Sequence, residues 1–155
     1  MDSENYNDNC PQVGVSIVEL ILVIAIVVIL SAIAYPFGVS FLARNHLKNK
    51  TNEIVSSLRI AQINSISGKE DSQWGIYIDS DNIIMYMGSS YVPPGTDQDQ
   101  SYEIPGAISI SPNPTELVFD KLNGDPSSTA TITVTNSLGN SNTITVNEVG
   151  IVDVN

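Results

Sequence analysis

Residues 15–35 are almost wholly apolar, and this run most limits what the chain can fold into. It reads VSIVELILVIAIVVILSAIAY, with Glu19 its one charged residue. Twenty-one helical residues rise about 32 Å at about 1.5 Å each. A bilayer's hydrocarbon core is about 30 Å thick. An ordinary core helix carries one apolar stripe, whereas this run is apolar on every side, as a membrane span requires. It fits a membrane anchor, and Ala32-Ile33-Ala34 also fits the small-residue cleavage site of a secretory signal peptide. The run is long for a signal-peptide core, however, and the residues before it are acidic rather than basic. Neither reading explains Glu19, because a carboxylate at the centre of a span costs about 2.5–3.5 kcal/mol.

A cation beside Glu19 would remove that cost, and none exists within the run. Cutting the chain between Gly14 and Val15 would create one. The new amine on Val15 would stand one helical turn from Glu19, at i, i+4 spacing. It could pair with Glu19 of its own chain or with Glu19 of a neighbouring copy. In the second case the isolated cost becomes a driving force for assembly.

Gly14-Val15-Ser16-Ile17-Val18-Glu19-Leu20, followed by the long apolar run, resembles the N-terminal signal of type IV pilins and type II secretion pseudopilins. That resemblance implies cleavage by a prepilin peptidase after Gly14 and N-methylation of Val15. It makes Glu19 the carboxylate that helps a subunit enter a growing filament. It implies a structural subunit, inserted in the inner membrane before assembly and carried in a periplasmic or extracellular filament afterwards. Its partners would be other pilin or pseudopilin subunits, the prepilin peptidase, the inner-membrane assembly platform and membrane lipid. Two features depart from the family pattern. Val15 stands where Phe or Met is usual, and the leader has Asp2, Glu4 and Asp8 but no base. The alternative is a membrane-tethered or secreted β-domain that binds a partner and does not polymerise.

Pro36 removes a backbone hydrogen bond and, with Gly38, predicts a kink where the span ends. Leu47, Ile54, Leu58 and Ala61 then recur at steps of seven, four and three, on one helical face. Arg44, Lys48, Lys50, Asn52 and Gln62 are assigned to the rest of that helix. Ser67-Gly68 is its expected stop, with glycine as the C-terminal cap. The expected organisation is a leader over 1–14, one long helix over 15–67 (15–35 transmembrane, 36–67 amphipathic) and a β-rich head over 68–155.

Strands are expected at Trp74–Ile78, 83–87, 108–111, Glu116–Phe119, 130–135, 142–147 and 150–154. Asp79-Ser80-Asp81-Asn82 and Ser137-Leu138-Gly139-Asn140 are turn clusters that make hairpins of their flanking strands. Residues 91–100, with Pro93-Pro94-Gly95, read as a loop. Gly124 and Gly150 are expected to need glycine geometry. The fold class is therefore α+β: a long N-terminal helix packed on an antiparallel β-sheet head, as in the type IV pilin fold. The order of segments from Leu117 to Val154 also resembles the ending of GspH/FimT-type minor pilins and pseudopilins, which implies a minor subunit.

The chain carries 17 acids and 6 bases, a formal charge of −11. From Thr51 onward only Arg59, Lys69 and Lys121 are basic. Nucleic-acid binding draws on Lys and Arg and is not expected. One cysteine, Cys10, allows no intrachain disulfide, and one histidine, His46, leaves a Cys/His zinc site without ligands. No nucleophile–base motif or phosphate loop stands out, so the chain is read as a non-enzyme without a cofactor. Asp79, Asp81, Asp97 and Asp99 offer carboxylates that suit calcium, but they also sit where turns favour Asp. Trp74, Tyr77, Tyr86, Tyr91 and Tyr102 are assigned to sheet packing ahead of a binding surface.

Overall fold

The computed structural model of the chain describes residues 14–155. The leader before Gly14, Cys10 included, lies outside the described residues. One helix, α1 (Ile17–Ile66), is followed by a short 3-10 turn (Lys69–Asp71) and eight strands. These are β1 (Trp74–Ile78), β2 (Asn82–Met87), β3 (Gln100–Glu103) and β4 (Ile108–Asn113), followed by β5 (Glu116–Phe119), β6 (Ala130–Asn136), β7 (Ser141–Val146) and β8 (Val152–Val154). The layout is α+β. The described residues form two compact units, divided after Gly38.

The first unit holds the apolar part of α1. Helical backbone runs through residues 34–37, whose side chains lie outside the described set, as does the kink expected at Pro36. Gly38 is helical and exposed, with no atom within 4 Å of where a Cβ would stand.

The second unit, Val39–Asn155, joins the rest of α1 to the strands. Its strands make two four-stranded antiparallel sheets rather than the one sheet expected. Their orders are β3-β2-β1-β5 and β4-β6-β7-β8. Both expected hairpins form. Ile78 pairs with Ile83 across the first turn, and Thr135 with Ser141 across the second. Strand β3 was not foreseen: it occupies the end of the expected loop and pairs Glu103 with Asn82 at the edge of the first sheet. Its sequence, QSYE, has no apolar alternation because an edge strand with little burial needs none.

Leu47, Ile54, Leu58 and Ala61 are all buried, as their spacing predicts. They meet Trp74, Ile76, Ile78, Ile83, Met85, Leu117 and Phe119 of the first sheet and Ile132, Val134, Ile144 and Val146 of the second in one core. Burying each large aliphatic side chain contributes about 1.5–3 kcal/mol. Helix α1 stops as expected: Gly68 adopts φ 64°, the left-handed cap that lacks a Cβ penalty. Gly124 (φ 74°) and Gly150 (φ 76°) also need glycine. A Cβ on Gly150 would collide with Gln62 and stand 3.0 Å from the Gly124 carbonyl.

Lys50 corrects the sequence reading. As a charged residue it is assigned to the rest of the helix, apart from Leu47, Ile54, Leu58 and Ala61, yet it is only 6% exposed. Its ammonium donates to the Glu103 carbonyl at 2.7 Å and pairs with Glu53 at 2.8 Å. A buried lysine needs such partners to offset lost hydration.

Candidate functional site

The residues that carry the family resemblance lie at the start of α1. Gly14, Val15 and Ser16 are exposed and not helical, and the helix begins at Ile17. Its first turn is closed by the Leu20 amide donating to the Ser16 carbonyl at 3.1 Å. Nothing lies within 4 Å of a Cβ built on Gly14. The bond between Gly14 and Val15 is thus in open, non-helical chain, the form a peptidase can bind. Glu19 is exposed in the first helical turn, where unpaired amides and the helix dipole favour a carboxylate.

Behind it, the large apolar side chains from Val15 to Ile33 are 48–76% exposed. None of the most apolar 18-residue window is buried. Ser31, the polar residue beyond the helix start, turns its hydroxyl back onto the Val27 carbonyl at 2.7 Å. Every backbone and side-chain group that hydrocarbon would penalise is therefore internally bonded, apart from the helix start and Glu19. Among the described residues this is the one helix long and apolar enough to cross a membrane.

The other residues singled out in the sequence are scattered. His46 is an exposed helix residue. Asp79 and Asp81 lie in the β1–β2 turn, where the Asp79 carboxylate accepts the Ser80 amide. Asp97 and Asp99 lie in the loop before β3, where Asp99 accepts both the amide and hydroxyl of Thr96. Among the described residues, no group of three or more Asp, Glu, His or Cys side chains is placed to hold a metal ion. Trp74 and Tyr86 are buried. Tyr91 stacks on Tyr77 with ring centres 4.8 Å apart, and Tyr86 lies 5.6 Å away.

Glu116, which the sequence did not single out, organises that aromatic group. It accepts the Tyr86 hydroxyl and the Tyr91 amide at 2.6 Å each, and Ser90 at 3.4 Å. Burial alone would raise its pKa. The donors from Tyr86, Tyr91 and Ser90 outweigh that and hold it below the usual carboxylate range. Burial, and then the hydrogen bond and charge of Glu116, push the Tyr86 hydroxyl well above its ordinary value. The β2–β3 loop is pinned to the sheet by this carboxylate. No sequence pattern marks it, because its partners come from two other segments.

The described residues thus define a protein with one membrane-length helix and a β-rich head. Neither a family model, nor a curated protein, nor a solved structure matches the chain.

Proposed function

We propose that the chain is a structural, non-enzymatic subunit of a type IV pilus or a type II secretion pseudopilus, a minor one on its C-terminal resemblance. One observation carries the reading. Glu19 stands in the first turn of an exposed apolar helix, four residues after the residue that cleavage at Gly14 would make the N-terminus. An isolated helix of this kind is a membrane span. Packed among identical apolar helices, it exchanges lipid for protein at little cost, and Glu19 gains an amine partner there. The head would then be displayed on the filament surface.

The test is the intact mass and N-terminal sequence of the protein from its native membranes. The expected chain begins with N-methylated Val15. A chain still beginning at Met1 or Asp2 would leave Glu19 without its amine, and the tethered β-domain would replace the filament subunit. Glu19→Ala sharpens the result. The variant should fold and reach the membrane normally, yet be at least about tenfold depleted from filaments, the usual size for losing one partner of a desolvated charge pair. Incorporation at the wild-type level would remove Glu19 from the mechanism.

A further inference from the structure

A groove of about 550 Å³ lies between α1 and the start of β7. Arg44, Lys48 and Asn52 line it from the helix, and Asn140, Asn142 and Val154 from the sheet. Neither Arg44 nor Lys48 has an ion-pair or hydrogen-bond partner among the described residues. Of the other four bases, Lys50 pairs with Glu53, Lys121 with Asp71, Lys69 lies over the Trp74 ring, and Arg59 stands alone among the described residues, beside residues 149–152 at the other end of the head. Two of the chain's six bases therefore stand together unpaired, at i, i+4 on one helix. Like charges at that spacing oppose helix formation. With 17 acids available in the chain, the fold places no carboxylate in the groove lining. The groove thus presents two positive side chains with no carboxylate among its lining residues.

The opposite end of the head carries two exposed acids, with Arg59 the one base among the described residues that line the groove beside residues 149–152. Asp125 and Glu148 are exposed on the loops after β5 and β7. Gly124 and Gly150 bring these loops together against Gln62, whose amide donates to the Gly124 carbonyl at 3.0 Å. No base is hydrogen-bonded or ion-paired to either carboxylate among the described residues. Strand β7 separates the two ends. Asn140 precedes it and Glu148 follows it, so they are held apart by the length of the strand, about 20 Å for six residues at about 3.3 Å each. The two surfaces cannot meet within one subunit.

We propose that the Arg44–Lys48 groove receives the Asp125 and Glu148 loops of a second copy of this chain, head to tail. Two different surfaces in contact make a heterologous interface, which repeats openly rather than closing on itself. That is the symmetry a filament needs, and the proposal rests on the filament reading in this respect. It also means that the chain can follow itself, so that even as a minor subunit it would occur in runs of two or more.

The experiment introduces Asn140→Cys and Val149→Cys into the full chain, with Cys10→Ser, and oxidises native membranes. Both positions are exposed, and β7 holds them too far apart for a disulfide within one chain. A ladder of cross-linked species is expected. Arg44→Glu with Lys48→Glu should weaken it about tenfold or more, and so should Asp125→Lys with Glu148→Lys. Combining all four substitutions should restore it to within about threefold. Trp74 fluorescence checks that each head is folded. An absent ladder, or a loss that the fourfold swap does not repair, overturns the contact; in the latter case the groove takes another anion, such as a lipid phosphate. The N-terminal sequence is read on the same sample. A charge-dependent ladder on a chain with an unprocessed N-terminus keeps the contact and overturns the filament. Methylated Val15 without a ladder does the reverse.

Discussion

The two parts of α1 obey different rules. Up to Ile33 the large apolar side chains are all exposed, whatever direction they face. From Leu47 to Ser65 one face is buried, and it is not purely apolar. Lys50, Thr51, Ser57 and Ser65 share it with Leu47, Ile54, Leu58 and Ala61. In the head, burial against the sheets supplies most of the stability, and the polar residues fix the position of the helix. Thr51 accepts from Asn142 of the second sheet at 3.2 Å. Ser65 accepts the Trp74 amide of the first at 2.8 Å. The Asn136 side chain donates to the Ala43 carbonyl at 3.2 Å. Each such bond is directional, so the helix cannot slide or turn without losing several at once. Among the described residues the apolar part has no such anchors, and its side chains suit any neighbour as apolar as themselves. On the proposed filament reading, a helix passing from lipid to a filament would be unspecific along its length and specific at one point, Glu19.

Leu58→Ala against Ile24→Ala tests this most strongly. Leu58 is fully buried, so its truncation leaves a cavity and should destabilise the head by about 2–5 kcal/mol. Ile24 is 55% exposed, and its truncation should leave head stability within about 0.5 kcal/mol. Trp74 is the only tryptophan and is buried in the head, so its fluorescence during denaturation of the detergent-solubilised chain reports that unit. Equal effects of the two substitutions would mean that the apolar part is packed as a core element.

Lys50→Met tests the anchors. The variant keeps the apolar stem but strands the Glu103 carbonyl, and a loss of about 1–3 kcal/mol is expected, read by the same fluorescence. A gain in stability would show that Lys50 is a tolerated burden rather than a tie between α1 and the edge of the first sheet.

Much of this division was legible in the sequence. The change from an all-round apolar run to a face at helical spacing placed Leu47, Ile54, Leu58 and Ala61 correctly. Turn residues between alternating segments gave both hairpins, and Gly68, Gly124 and Gly150 take the left-handed backbone expected where glycine punctuates. Lys50 was misread because nothing local distinguishes a lysine with a waiting carbonyl from one in water. Strand β3 is defined by its partner β2 rather than by its own residues. The split into two sheets depends on β1 pairing with β5, some forty residues on, and no local pattern records that. The site divides the same way. Gly14, Val15 and Glu19 fall within six residues and make a local pattern, whereas the Arg44–Lys48 groove needs the start of β7 to complete it.

Acid should separate the two parts with the smallest effect. Glu116 is a partly buried carboxylate whose donors hold its pKa below the usual value near 4.5; Lys121 lowers that of Asp71, which is fully exposed. A depressed folded-state pKa stabilises the head fully above the unfolded value and loses that contribution as pH falls through the folded one. Trp74-monitored stability should therefore decline as pH drops below about 4.5, while the apolar part of α1, which draws nothing from Glu116, should keep its helical signal. Tyr86→Phe removes the nearest donor to Glu116. At neutral pH it should cost about 1 kcal/mol, at the lower end for a hydrogen bond to a charged group because Glu116 is partly exposed and water screens it. With that donor gone, the carboxyl titrates closer to its unfolded value, so the variant should lose less stability than the parent between neutral pH and pH 3. An unchanged acid response in Tyr86→Phe would place the titrating group elsewhere in the head. The loop carrying Tyr91 would then be held by ring stacking on Tyr77 rather than by the Glu116 carboxylate.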